Sequence, residues 1–306
     1  MEIFTIILVV LGLCVFEVIN SVDNAIINAH ILLTMRERYR RLFLVFGIFF
    51  AVFVIRGALP WLIIWFSTPS IGPAGALTAS FSTDPGIMEI IKSSSPVLLV
   101  GASTFLLFLF FHWLFLEPKK ILLSGEKFFQ SHFFLFYAFV SILLSTIIWF
   151  ALHKNAMMAF GAVVGATAFY IVEAVRRYAD ENKHRLHQKN ISDISKILYL
   201  EVIDASFSID GVLGAFAFTL SVPLILIGNG LGALVVRQLT IKNINIINKY
   251  RYLTKGAMYS ILFMGFIMMF NSFGYNAPGW LPPVVTFAIV GYSFYISKRE
   301  IKNNLK

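Results

Sequence analysis

Long apolar stretches alternate with short polar connections along the whole chain, and their spacing predicts nine helices. They cover about 3–33, 42–66, 96–116, 132–152, 156–174, 197–219, 222–241, 256–272 and 282–297. Most reach the roughly 17 residues or more that carry a helix across a bilayer. Only Ser221-Val222-Pro223 separates the sixth stretch from the seventh. Proline suits a helix start, so that break reads as a tight turn.

Composition narrows the class. Of 306 residues, 58% are hydrophobic and 13% charged, and the mean hydropathy is +0.80. A soluble domain carries about a quarter charged and under half apolar residues. Soluble globular, disordered and nucleic-acid-binding proteins are thereby excluded. The fold class is all-α, a polytopic transmembrane helical bundle of about nine spans. Cys14 is the single cysteine, so there is neither a disulfide framework nor a CxxC metal site. The N-terminus lacks a basic leader, and its apolar run exceeds a signal-peptide core, so it reads as mature structure.

The basic residues orient the spans. With the N-terminus outside, alternating spans put 21 of the 25 Lys and Arg in cytoplasmic connections or at the C-terminus. Lys92 and Lys154 fall outside, and Arg56 and Arg237 fall within spans. That bias is the positive-inside rule, and it accounts for the net charge of +9 without nucleic acid as a partner. The reading places the chain in the bacterial inner membrane with a cytoplasmic C-terminus. Residues 1–174 form a first transmembrane half, 175–196 a solvated cytoplasmic linker helix, and 197–306 a second transmembrane half. The polar stretch 67–95 is expected outside, as a lid or a mobile loop.

Acids occur inside these spans in a repeated pattern. Glu17-Val-Ile-Asn20-Ser21-Val22-Asp23-Asn24 and Asp204-Ala-Ser206-Phe-Ser208-Ile209-Asp210-Gly211 both read acid-x-x-x-Ser-(Val/Ile)-Asp-(Asn/Gly). Gly47-x8-Arg56 follows the first copy and Gly228-x8-Arg237 the second. Four helices lie between the first span and the sixth, so the copies are expected in opposite orientation. Such an inverted-topology repeat is found in secondary transporters, whose sites lie near the bilayer midplane at broken helices. The span 3–33 would be about 46 Å long as a continuous helix, against a core of about 30 Å. Glu17, Asn20, Ser21, Asn24 and Asn28 share one helical face. An unwound turn at Ser21–Asn24 would bring Asp23 to the same cavity, and Gly211 would serve the matching break in the second copy.

Energetics argue for function. An ionised residue at a helix centre costs about 2.5–3.5 kcal/mol, so Glu17, Asp23, Asp204 and Asp210 together cost roughly 10 kcal/mol or more without partners. Arg56 and Arg237 could neutralise two of the four, as counter-charges or gates. The remaining charge of about −2 matches one divalent cation or two protons. The ligand set of Glu17, Asn20, Asp23, Asn24, Asp204, Ser208 and Asp210 is all oxygen, which suits Mn²⁺, Mg²⁺ or Ca²⁺ better than Cu⁺ or Zn²⁺. Glu201 shares the face of Asp204 as a possible entry acid. His112, Glu117 and Glu173 read as interfacial, the methionines of the eighth span as packing, and Gly161 and Gly165 as a close helix contact.

Glu17-x3-Ser21-Val22-Asp23-Asn24, Asp204-x3-Ser208-Ile209-Asp210 and the intramembrane arginines resemble the TerC family of integral membrane proteins, named for tellurium resistance, and its branch of uncharacterised domains. Members of that family are associated with manganese export, and the wider group includes cation and amino-acid exporters. The resemblance implies divalent-cation efflux, with Asp23, Asn24 and Asp210 at the ion site and Glu17 and Asp204 beside them. Gly211 stands where the family carries a small polar residue.

The expected function is a secondary exporter of a divalent cation, manganese first among the candidates, with protons as the exchanged ion. No tightly bound cofactor and no enzymatic activity are expected, since HExxH, GxSxG and nucleotide-binding motifs are missing. The alternatives are a membrane enzyme or assembly factor using buried acids, and a structural protein of an envelope-stress complex.

Overall fold

A computed structural model describes residues 3–21, 25, 28–29, 31–43, 47, 50, 54, 56–67, 71–81, 85–119, 124–186, 192–247, 250 and 252–303. The described residues are helical, with no strand among them. In chain order the helices are α1 (Ile3–Asn20), α2 (Glu37–Leu42), α3 (Arg56–Ser67), α4 (Gly72–Phe81), α5 (Pro85–Leu116) and α6 (Ser124–Ser131). After a 3₁₀ turn at Phe133–Leu135 come α7 (Phe136–Leu152), α8 (Ala156–Leu186), α9 (Asp193–Ala215), α10 (Val222–Ile247), α11 (Leu253–Ser272) and α12 (Leu281–Asn303). Five stretches among the described residues are long and apolar enough to cross a membrane: Ile3–Asn20, Ser93–Leu116, Phe133–Leu152, Ala156–Ala179 and Leu253–Ser272. The protein is an all-α, membrane-type bundle.

Burial sorts these helices into centre and rim. The span in α5 is 83% buried and the one ending with α7 only 17%. α5 therefore forms the axis of the bundle, packed on α8 and α11, while α1 lies against α10. α7 turns Ile142, Trp149 and Phe150 outward, as a helix facing hydrocarbon does. Phe105, Phe108, Phe136, Phe169 and Met264 fill the main core, so at least this methionine of the eighth span packs.

α5 and α8 meet backbone to backbone. A Cβ on Gly161 would lie 2.7 Å from the Val97 carbonyl oxygen, and one on Gly101 2.9 Å from that of Gly161. Gly165 is pressed more closely still against the Gly101 carbonyl. Small residues permit this approach where lipid offers no hydrophobic drive for helix pairing.

Two connections differ from expectation. The stretch 67–95 is not all loop: it contains α4 and the first turns of α5, which continues through Pro96. The division at 174 falls inside α8, which runs on to Leu186. The helix continues through the charged residues past the apolar run, as the good helix propensity of Arg, Glu and Lys allows.

A buried ion pair ties α6 to α11. Lys255 Nζ bonds Glu126 Oε2, and the Tyr259 hydroxyl donates to Glu126 Oε1 at 3.1 Å. Nearby, Lys119 donates to the Trp113 and Leu114 carbonyls at 2.8 and 2.9 Å, capping α5. Burial holds the Lys119 ammonium below the usual lysine range. Replacing Tyr259 by Phe removes one hydrogen bond and keeps the ring, so thermal unfolding in detergent should register a loss of about 1 kcal/mol.

Candidate functional site

The segments that carry the two acid motifs lie side by side. Arg36 Nε donates to Asp193 Oδ2 at 2.7 Å. Lys196 Nζ donates to Thr34 Oγ1 at 3.0 Å and to its carbonyl at 3.3 Å. Asn28 Nδ2 donates to Asp204 Oδ1 at 3.2 Å. Farther along, the Glu17 carboxylate reaches Gly211. Residue numbers rise on one side as they fall on the other, so the segments run antiparallel.

Glycines make this approach possible. A Cβ at Gly211 would come within 2.9 Å of Glu17 Oε2 and 3.7 Å of Asn20 Nδ2. One at Gly232 would stand 2.6 Å from the Glu17 Cβ, and one at Gly228 2.5 Å from the Leu13 Cβ. Glu17 is fully buried and accepts a hydrogen bond from Ser21 Oγ. In the other segment, Gly47 lies against the Glu201 carboxylate, where a Cβ would collide with Oε1.

The break expected at Gly211 does not occur. α9 is continuous from Asp193 to Ala215, and Gly211 serves close approach by Glu17 instead. α1 ends at Asn20, and Ser21 is a turn. Helical bonds flank that turn, from Ser21 N to Glu17 O at 3.0 Å and from Ala25 N to Ser21 O at 2.9 Å. Asp23 and Asn24 lie outside the described residues, as do the side chains of Arg56 and Arg237.

Asp210 turns to a partner that periodicity of the apolar run alone does not predict. Its Oδ2 accepts from Arg176 Nη2 at 2.6 Å, and the same nitrogen donates to the Ser206 carbonyl at 3.1 Å. The guanidinium stacks over Phe207 with its carbon 4.4 Å from the ring centre. Arg176 is thus not part of a solvated linker; it is the counter-charge at Asp210. One turn earlier on α8, Glu173 Oε1 lies 3.2 Å from His112 Nε2, and Glu117 Oε1 lies 3.9 Å from His112 Nδ1. His112 is buried between Phe136 and Phe169 and does not sit at an open interface. The signal was present in the helix period. Ala162, Ala166, Phe169 and Val172 form the buried stripe of α8, and Glu173 and Arg176 continue it at spacings of three and four.

Of the predicted ligands, the structure brings Glu17 and Asn20 to Gly211, and Asn28 to Asp204. Ser208 is buried on α9, and Glu201 stands one turn before Asp204. Asp210 faces α8. Its Oδ1 is buried without a hydrogen-bond partner among the described residues, as is Glu201 Oε2. No group of three or more His, Cys, Asp or Glu arranged to hold a metal occurs among the described residues.

A family model described as "Protein of unknown function (DUF475)" matches residues 22–304, nearly the whole chain. The chain belongs to this family. Neither the curated proteins nor the solved structures yield a match.

Proposed function

We propose that this member of the DUF475 family is a secondary transporter that carries a divalent metal cation, manganese first among the candidates, out across the bacterial inner membrane. One observation carries the reading: two antiparallel segments bring Glu17 and Asn20 to the Gly211 backbone beside Asp210, and Asn28 to Asp204. Carboxylates and amides so placed at a helix interface offer hard oxygen ligands and little else, which suits Mn²⁺, Mg²⁺ or Ca²⁺. An ionisable group inside a membrane bundle is expensive and marks an ion path more often than decoration. The residue-level resemblance to the TerC family supports efflux and the choice of manganese.

The inverted, nine-span repeat belongs to the same proposal. Under it the first span corresponds to the sixth and the second to the seventh. Gly228 in the seventh packs on Leu13 in the first, and Gly47 in the second packs on Glu201 in the sixth. These two contacts exchange under the repeat to within one residue, which supports it. The cation would be held by Glu17, Asn20, Asp23, Asn24, Asp204, Ser208 and Asp210, entered past Glu201, with Arg56 and Arg237 as gates. Continuous helix at Asp204–Gly211 means that α9 would contribute side chains and not freed carbonyls.

Uptake of Mn²⁺, Ca²⁺ and Mg²⁺ into proteoliposomes across a pH gradient tests the reading. Wild-type protein should concentrate Mn²⁺, and Asp23→Asn should reduce uptake at least about tenfold, the loss expected when a metal-ligating carboxylate is removed. Full transport by Asp23→Asn, or no flux of any of the three ions by the wild type, would refute it.

A further inference from the structure

The charges around Asp210 do not stop at Arg176. They continue through Glu173 to His112, on α8 and α5 respectively, and end at Glu117, which is half-exposed just beyond α5. Along this line of contacts, three buried atoms have no hydrogen-bond partner among the described residues: Asp210 Oδ1, Arg176 Nε and His112 Nδ1. Native interiors pair nearly all such atoms, so each one left over calls for an explanation. Three in one line of contacts suggest groups that change partners.

We propose that the His112–Glu173 pair is the proton-binding site of the transporter, and that Arg176 couples it to cation binding at Asp210. This inference rests on the transporter reading above. Arg176 stands between two carboxylates, Asp210 on α9 and Glu173 one turn earlier on its own helix. While Arg176 is held by Asp210 at 2.6 Å, Glu173 has the His112 ring as its cationic partner at 3.2 Å. In the proposed cation-free state the proton is carried by this imidazole. A divalent cation at Asp210 repels the guanidinium. Arg176 then turns to Glu173, its neighbour three residues back, and its unused Nε supplies a donor for the new pair. The imidazolium becomes surplus and releases its proton toward half-exposed Glu117. Two positive charges arrive and one proton leaves, and the reverse sequence follows when the cation departs.

The surroundings of His112 suit this role. α7 contributes Phe136 and α8 contributes Phe169 on either side of the ring, and neither carries charge. The charged groups facing it are Glu173 from α8 and Glu117 from the end of α5. The two rings shield the imidazole from bulk water and leave the carboxylates as its charged neighbours. Histidine is the side chain whose ordinary titration falls in the physiological range. Coupling of this kind is reciprocal, so the proton load must also change cation affinity.

Proton release on cation binding reads the coupling directly. Mn²⁺ is titrated into purified full-length protein in weakly buffered detergent solution near about pH 6, where an ordinary imidazole is charged. A pH-indicator dye reports protons and a radiotracer reports bound Mn²⁺. Wild-type protein should release about one proton per bound cation, as reciprocal linkage requires. His112→Gln keeps an amide donor toward Glu173 and cannot titrate, so it should bind Mn²⁺ and release almost none. Glu173→Gln removes the carboxylate that holds the proton and should show the same loss, which guards against a folding defect in either variant alone. Mn²⁺ binding with undiminished proton release in both variants would overturn the proton site and leave the transporter reading standing. Absence of Mn²⁺ binding by the wild type would overturn both.

Discussion

Replacing Asp210 by alanine should destabilise the protein by about 3–5 kcal/mol, the range for breaking one side of a buried ion pair. Asp210 is 3% exposed, and its partner Arg176 retains 15% side-chain exposure. Removal of the carboxylate takes away the charged partner and leaves the guanidinium its contacts with the Ser206 carbonyl and the face of Phe207. With 15% of its side chain exposed, the guanidinium recovers only part of the lost interaction from water. Arg176→Met should cost a similar amount through the orphaned carboxylate. The pair Asp210→Leu with Arg176→Met removes both charges and should recover most of the loss, since an apolar pair of similar volume is often as stable as a buried salt bridge. Thermal unfolding of the four proteins in one detergent gives the coupling directly. The double variant separates stability from transport: it should fold and carry no cation. A loss in the double variant equal to the sum of the two single losses would mean that the observed 2.6 Å contact contributes little.

Gly165→Leu should be comparably damaging for a different reason. Its Cβ would enter the Gly101 carbonyl, and the neighbouring approaches of Gly161 to Val97 and Gly101 to Gly161 are also against backbone. A side chain can rotate away from an intruding group, whereas a helix backbone must translate. Moving α8 off α5 opens the packing of Phe105 and Phe108 on Phe169, at the most buried span of the bundle. The expected loss is about 3 kcal/mol or more, the upper end for overpacking a core. Gly291→Leu is the control, since a Cβ there meets nothing within 4 Å. It should change stability by less than about 0.5 kcal/mol, as surface replacements do. Similar unfolding temperatures for the two leucine variants would remove the α5–α8 contact from the account of the fold.

These expectations draw unequally on sequence and structure. Glu17, Asp204 and Asp210 are conspicuous in the sequence because ionised groups are rare inside apolar runs. Their repeated spacing with Ser21 and Ser208 singles them out further. Arg176, Glu173 and His112 are less conspicuous, because each lies near the end of an apolar run, where charged groups ordinarily reach the interface. Hydropathy averages over a window and treats such an end as solvated. The helix period carries the stripe of α8 past that end, and the neighbouring helices decide that it faces inward. Gly211 shows the same limit from the other side. A glycine permits both a helix break and a close contact, and the choice between them depends on whether Glu17 arrives.

From the sequence alone came the helical class, the membrane-type apolarity, most helix cores and the acids set inside apolar runs, because each follows from local apolarity, charge cost or periodic spacing. The tertiary structure decided partners: Glu17 with Gly211, Asn28 with Asp204, Arg176 with Asp210, and His112 with Glu173. A pairing between residues far apart in the chain depends on how whole helices pack. Packing is set by many small contacts at once, and a chain read one window at a time does not contain them.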